Sequence, residues 1–264
     1  VMLFGITAVH AQADFRLELE SYENQNGIQV FELPDRTVAS MQTGSFAEYT
    51  VEIPEDGIYT IGLCGSSYVN FFSKFTLSVD GKSYFWALAP TASWDDYQTA
   101  EFPGIRLKKG STVLRLDLDE GSYSLDYFCF LKTAEYSENY LRQEFEDYIP
   151  GGEGVGYHDL VPGVDNANYI DRGDDVDVAY GGCGIVVGAN VGEWWKYEID
   201  VPADGYYEFS VSYAGPEGSS IQFSTESGQL VETELPKTAS WAAIETVKTN
   251  KIFLHAGKQL IKAE

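Results

Sequence analysis

The chain repeats itself, and that repeat limits its possible folds more than any other feature. GSFAEYTVEIPEDGIYTI at 44–61 aligns with GEWWKYEIDVPADGYYEF at 192–209, an offset of 148. TASW recurs with its tryptophans at Trp94 and Trp241, and LKKGSTVLRL at 107–116 answers LHAGKQLIKA at 254–263, both at an offset of 147. Near the start, LELESYE at 17–23 matches QEFEDYI at 143–149 at an offset of 126. Blocks that recur in the same order mean two copies of one structural unit. The step from 126 to 148 places about 22 extra residues in the second copy, within GGEGVGYHDLVPGVDNANYIDRGDDVDVAYGG. The expected organisation is 1–13 as a leader remnant, 14–132 as the first unit, 133–142 as a join and 143–264 as the second unit.

Both units read as strands. Phe15, Leu17 and Leu19 interleave with Arg16, Glu18 and Glu20, and Tyr49, Val51 and Ile53 lead into a turn at Pro54–Gly57. Phe75, Leu77 and Val79 run up to the Asp80-Gly81 hairpin signal, and Leu114, Leu116 and Leu118 close the pattern. Tyr207, Phe209, Val211 and Tyr213 do the same in the second unit, and no amphipathic helix of three turns stands out. One apolar face per strand, punctuated by turns, predicts an all-β chain of two tandem antiparallel β-sandwich (jelly-roll) domains. The first unit continues past Leu116 with DLDEGSYSLDYFCF, whereas Glu264 aligns with Asp117, so the second unit is expected to lack its last strand. A sandwich without that strand has an apolar groove and an unpaired edge, which predicts aggregation or disorder of the second half.

Charge narrows the partners. With 41 Asp and Glu against 17 Lys and Arg, the formal net charge is −24. A phosphate backbone is repelled by such a surface, which argues against nucleic acid, and anionic membrane surfaces are disfavoured for the same reason. Met2 to Val9 is mostly apolar and Ala11-Gln12-Ala13 has the small-x-small form of a signal-peptidase site, so the chain is expected to be secreted with cleavage after Ala13. No stretch reaches the ~18 apolar residues of a membrane span. Cys64, Cys129 and Cys183 fit no metal spacing. A Cys64–Cys129 bridge and two buried free thiols both remain open.

Three groups of residues could carry chemistry. Glu18 and Glu20, echoed by Glu144 and Glu146, would share one strand face if the strand is regular. Such pairs serve as glycosidase acid and base, as hard-oxygen Ca²⁺ ligands, or simply as a solvated face. Flat strand positions beside a terminus form no cleft, which weighs against the glycosidase. Trp94 and Trp241 sit among small and polar residues, each either an anchor tucked beneath its loop or an exposed platform for a sugar ring, and Tyr97 follows three residues after Trp94. The second unit's insertion holds Tyr157, His158, Asp159, Asp174, Asp175 and Asp177 without the D-x-[DN]-x-[DN]-G form of a calcium loop, and reads as a solvated specificity loop. No phosphate loop, nucleophile elbow or HExxH is present.

Together these marks resemble the family 6 carbohydrate-binding modules. The resemblance rests on the E-x-E opening strands, on GEWWKYEIDVPADG and the looser GSFAEYTVEIPEDG, on the TASW loops, on the L-x-x-G strand starts and on SLDY in the first unit. It implies a β-sandwich with a structural Ca²⁺ held by Glu18, Glu20 and Asp126, and in the second unit by Glu144 and Glu146. It also implies sugar held between the loop tryptophan and a second aromatic, with a hydrogen bond from a residue just before the last-strand aspartate, two positions ahead of it. That position is Ser124 here, and the partner aromatic falls on Ser40 in one unit and Gly188 in the other, neither of which can stack. Tyr97 in the first unit, and Tyr157 and Tyr169 in the second, are the candidates to replace it. The concave sheet face is the alternative site. The implied function is non-catalytic binding of a plant or algal polysaccharide by a secreted bacterial monomer joined to a catalytic domain. The competing reading is a structural spacer or adhesin without sugar binding.

Overall fold

The computed structural model describes residues 15–161, 170, 172–181, 184–241 and 243–264. The leader remnant 1–13, Tyr169 and Cys183 lie outside the described residues. The chain forms two compact units, Val1–Tyr84 with Pro90–Ser137, and Glu138–Glu264 with Phe85–Ala89.

The first unit has eleven strands: β1 (Phe15–Glu18), β2 (Asn24–Asn26), β3 (Gln29–Glu32), β4 (Thr37–Gln42), β5 (Phe46–Ile53), β6 (Gly57–Ser66), β7 (Ser73–Val79), β8 (Lys82–Leu88), β9 (Gln98–Leu107), β10 (Gly110–Glu120) and β11 (Ser122–Glu135). One sheet runs β3-β4-β11-β6-β9 with β1 also on β11, and the other runs β2-β5-β10-β7-β8. The predicted alternation holds: Tyr49, Val51, Ile53, Phe75, Leu77, Val79, Leu114, Leu116 and Leu118 are all buried. Ile61, Leu63, Phe128 and Phe130 of β6 and β11 are buried as well. These side chains fill the space between two sheets, as an antiparallel sandwich requires. Asp80 (φ 49°) and Gly81 (φ 73°) both take left-handed backbone, the geometry of the two-residue turn that Asp-Gly predicts.

Two details depart from the expected pattern. β1 ends at Glu18, and Leu19–Ser21 form a 3₁₀ turn, so Glu18 and Glu20 belong to different elements instead of sharing a strand face. The turn keeps Leu19 buried without continuing the ladder. β11 also runs to Glu135, three residues into the stretch 133–142 read as a join.

The second unit has β12 (Tyr157–His158), β13 (Val178–Gly181), β14 (Gly184–Val187), β15 (Trp194–Val201), β16 (Gly205–Tyr207), β17 (Ser210–Tyr213), β18 (Ser219–Thr225), β19 (Leu230–Leu235), β20 (Glu245–Lys248), β21 (Ile252–Leu254) and β22 (Gly257–Ala263). Its five-stranded sheet, β12-β15-β22-β18-β19, repeats the order β5-β10-β7-β8 of the first unit from β15 onward. The remaining strands form three separate pairs, β13–β14, β16–β21 and β17–β20, and no counterpart of β11 joins them among the described residues. A core of Trp195, Tyr197, Val211, Phe223 and Ile261, among others, is nonetheless buried.

The repeated letters prove to be backbone fasteners. The Tyr49 hydroxyl donates to the Leu19 carbonyl (2.7 Å), and Tyr197 does so to Phe145 (2.9 Å). Tyr59 donates to the Glu55 carbonyl (2.9 Å) and Tyr207 to Ala203 (2.7 Å). In the P-x-D-G turns, Asp56 accepts from the Lys109 amide (2.6 Å) and Asp204 from the Ala256 amide (2.7 Å). Each bond satisfies a backbone polar group that lies outside the strand ladders. Cys64 and Cys129 are both free thiols. On the paired strands Cys64 faces Tyr127 and Cys129 faces Gly62, so the two thiols are diagonal and not directly opposite.

Candidate functional site

The TASW loop joins β8 to β9, and its threonine is what holds it. The Thr91 amide donates to the Ser67 carbonyl (2.7 Å), and the Thr91 hydroxyl accepts from the Ser67 amide (3.0 Å) and donates to the Ser93 carbonyl (2.9 Å). Ser66 donates to the Trp94 carbonyl (2.7 Å), and the Asp96 carboxylate accepts from the Ala92 amide (3.0 Å). Thr238 repeats the clamp on Gly215 and Ser240. With the backbone tied down on both sides, the indole is turned outward. Trp94 is 42% exposed and Trp241 73% exposed, so neither is a buried anchor.

Trp94 lines a groove of about 340 Å³ together with Phe31, Leu33, Tyr97, Ser40 and Ser124. The second apolar wall comes from the edge strand β3 and the turn after it: Phe31 is 48% exposed and Leu33 37% exposed. Sequence reading missed both, because they lie in a short segment, QVFELP, with no partner in the repeat. The available signal was two apolar residues on a strand whose four positions all face solvent. Tyr97 and Ser124 share a hydroxyl–hydroxyl bond of 2.7 Å on the groove's polar side. Apolar walls with hydroxyls between them match a sugar ring, whose C–H face packs on an aromatic while its hydroxyls exchange hydrogen bonds.

The second unit's site is sparser. Tyr157 does not serve as a platform: it is 4% exposed, pairs with Trp195 across β12–β15 and packs edge-on to Tyr148 at 5.5 Å. The sheet faces offer aromatics already covered by cations. Arg115 lies 3.8 Å over Phe46, and Lys196 and Lys262 stand 4.9 and 5.3 Å from Trp194. Glu193, in the shared block that follows the insertion, accepts from the amides of Leu160 (3.1 Å) and Asn190 (2.6 Å). Asp159 is buried, and that burial, with Glu193, Asp177 and Asp175 nearby, pushes its carboxyl up to about 6.

The residues named for calcium do not assemble as a set. Arg16 Nη2 bonds both Glu18 (2.8 Å) and Asp126 Oδ1 (3.1 Å), and Arg36 Nη1 bonds Asp126 Oδ2 (3.2 Å). Guanidinium groups therefore stand where the resemblance places the cation, and Asp126 does not fit as a ligand. Burial still pushes Asp126 above the usual carboxylate range, against the pull of both arginines. Among the described residues no three acidic, His or Cys side chains converge as metal ligands. Glu20 differs: its Oε2 is buried with no hydrogen-bond partner among the described residues. Its counterpart Glu146 is pushed up to about 7, mainly by burial, whereas Glu144 accepts from Arg142 Nε at 2.6 Å.

An all-β chain with a sugar-sized, half-aromatic groove under a clamped tryptophan loop is a carbohydrate-binding protein. Comparison with known proteins agrees: residues 18–132 and 166–264 match the carbohydrate binding module (family 6), and the chain belongs to that family. It is similar to the beta-agarase AgaO of Microbulbifer thermotolerans, 28% identical over 118 residues, covering 39% of this chain and 10% of that one. The chain thus spans about a tenth of the length of this curated relative. Among solved structures it is similar to module CBM6cm-2 of Cellvibrio mixtus lichenase 5A in complex with cellotriose, 21% identical, covering 46% of this chain and 98% of that one with a TM-score of 0.41. It is also similar to a beta-1,3-glucan binding CBM6 from Bacillus halodurans, 18% identical, covering 44% and 95% with a TM-score of 0.39. No helix among the described residues is long and apolar enough to cross a membrane.

Proposed function

We propose that the chain is the non-catalytic, polysaccharide-targeting part of a larger secreted enzyme that degrades an algal or plant glycan, with agarose as the first candidate. The observation that carries this reading is the Trp94 groove, which has the walls and the hydroxyls a sugar ring needs. Agarose comes from the similarity to a beta-agarase, of which this chain spans only a small part. Affinity electrophoresis through gels containing agarose, laminarin, lichenan or xylan tests it. The chain is expected to be retarded by at least one polymer. Trp94→Ala and Phe31→Ala should each weaken retention by the first unit about tenfold or more, the scale of losing an aromatic stacking wall with its buried area. A folded chain retarded by none of the four would leave the spacer reading standing, and reducing sugar released by the chain alone would make it an enzyme.

We also propose that Glu20 in the first unit and Glu146 in the second each meet a calcium ion of their own unit, with Asp126 outside the set. Glu20 has a buried oxygen with no partner among the described residues, and burial raises the Glu146 carboxyl; either is costly without a counter-charge, and a hard cation is an oxygen ligand's usual partner. Calcium that binds only the folded chain raises its melting temperature by mass action. Adding CaCl₂ after EDTA treatment should therefore raise the melting temperature, and Glu20→Gln with Glu146→Gln should abolish the rise. An unchanged calcium response in the double variant would remove both residues from the site.

A further inference from the structure

A second cavity, of about 350 Å³, opens on the outer face of the same sheet and shares one wall with the Trp94 groove. That wall is Tyr97. On one side its hydroxyl bonds Ser124, and on the other its ring carries the Arg36 guanidinium at 4.5 Å. The cavity is otherwise polar, lined by Arg16, Arg36, Asp35, Asp126 and Thr99.

A local irregularity of β11 builds it. The register against β6 passes from Leu125↔Gly65 to Tyr127↔Cys64, so Asp126 is an extra residue in the ladder. Such a bulge re-aims a side chain, and here both Asp126 and its neighbour Tyr127 line the outer cavity. Asp126 then sits 4% exposed at the bottom, its two oxygens taken by Arg16 and Arg36. Each guanidinium is fixed in turn by an aromatic face, Arg16 lying 3.5 Å over Tyr127. The result is a rigid ring of charge-assisted donors and acceptors with little conformational freedom left to lose on binding. The lining carries two guanidiniums and two carboxylates, which cancel. Nothing in it draws an anion. A hydroxyl, by contrast, can accept from an arginine and donate to an aspartate at once.

We propose that this cavity is a second sugar subsite, holding the neighbouring ring of the same chain by its hydroxyl edge while Trp94 and Phe31 hold the first ring by its face. The ligand class is an uncharged polysaccharide with free hydroxyls, and carboxylated or sulfated rings are excluded from this subsite. The inference rests on the reading of the Trp94 groove as a sugar site.

Isothermal titration calorimetry of the whole chain with neoagaro-oligosaccharides of two, four and six rings, and laminari-oligosaccharides in parallel, tests it. For the series that binds, affinity should climb about tenfold as rings are added, the scale of one or two charge-assisted hydrogen bonds. Thr99→Val, which is nearly isosteric, and Arg36→Lys, which keeps the charge but not the fork, should each remove most of that climb. Trp94→Ala should weaken every length. The climb should survive raised salt, because an uncharged ligand is not screened. A climb intact in both Thr99→Val and Arg36→Lys overturns the subsite and leaves the groove standing. A carboxylated oligosaccharide that shows the same climb overturns the uncharged ligand class. Binding of neither series, together with no retardation by any of the four polymers, removes the groove reading and the subsite with it.

Discussion

Asp159 shows what a single residue can and cannot disclose from its letter. In the sequence it is one of several acids in a long insertion, and nothing separates it from the solvated ones. In the fold its Oδ1 accepts from the Val161 amide (2.8 Å), while its Oδ2 is buried without a partner among the described residues. Burial comes first among the causes that hold its proton up to about 6, followed by the repulsion of Glu193, Asp177 and Asp175. Between its ordinary value of 3.8 and about 6, the folded state therefore binds more protons than the unfolded one. Stability must then fall as pH rises through that window and level off above it, by up to about 3 kcal/mol for a shift of this size. Urea titrations between pH 4 and 7 should show this decline, and Asp159→Asn should make it shallower, leaving the part that belongs to the Glu146 carboxyl, held up to about 7. A wild-type chain whose stability is constant or rises over that window would disprove the assignment.

At the scale of elements, what could be read in advance was what periodicity and repetition encode. Alternation in β5, β7 and β10 was legible because one face of each strand is buried, and burial imposes a period of two. The TASW and P-x-D-G loops were legible because their threonines and aspartates close backbone groups in both copies. The site's second wall was not. Phe31 lies on an edge strand with every residue exposed, where packing leaves no pattern, and the resemblance pointed to Ser40 in its place. Ser40 does line the groove, one strand over, since it pairs with Gln29 at the foot of β3. The aromatic of this groove thus stands on β3, one strand away from the position to which the resemblance pointed. The outer cavity was invisible for another reason. It depends on a bulge at Asp126, and a one-residue register shift changes which face a side chain takes without changing any letter around it. The carboxylate pairs misled as well: a 3₁₀ turn starting at Leu19 separates Glu20 from the strand that holds Glu18, and Glu144 and Glu146 lie between β11 and β12 in no strand at all.

For the whole molecule, duplication matters only if both tryptophan loops meet the same polymer. Each platform is small: one exposed indole with a few hydroxyls supports weak binding, and Trp241 has less around it than Trp94. Once one unit is bound, the join holds the other at a high effective concentration, so a polymer with repeated sites gains affinity that a short oligosaccharide does not. The net charge of −24 adds nothing to this gain on a neutral glycan, which makes it insensitive to salt. On insoluble polymer, therefore, the intact chain should bind at least tenfold more tightly than either Trp94→Ala or Trp241→Ala. For an oligosaccharide that fills one site, Trp241→Ala should change little and Trp94→Ala should change much. Depletion assays on the polymer, set beside calorimetry with the oligosaccharide, separate the two regimes. If Trp241→Ala leaves polymer binding untouched, the second unit contributes no site, and the repeated word TASW is repeated for its threonine clamp alone.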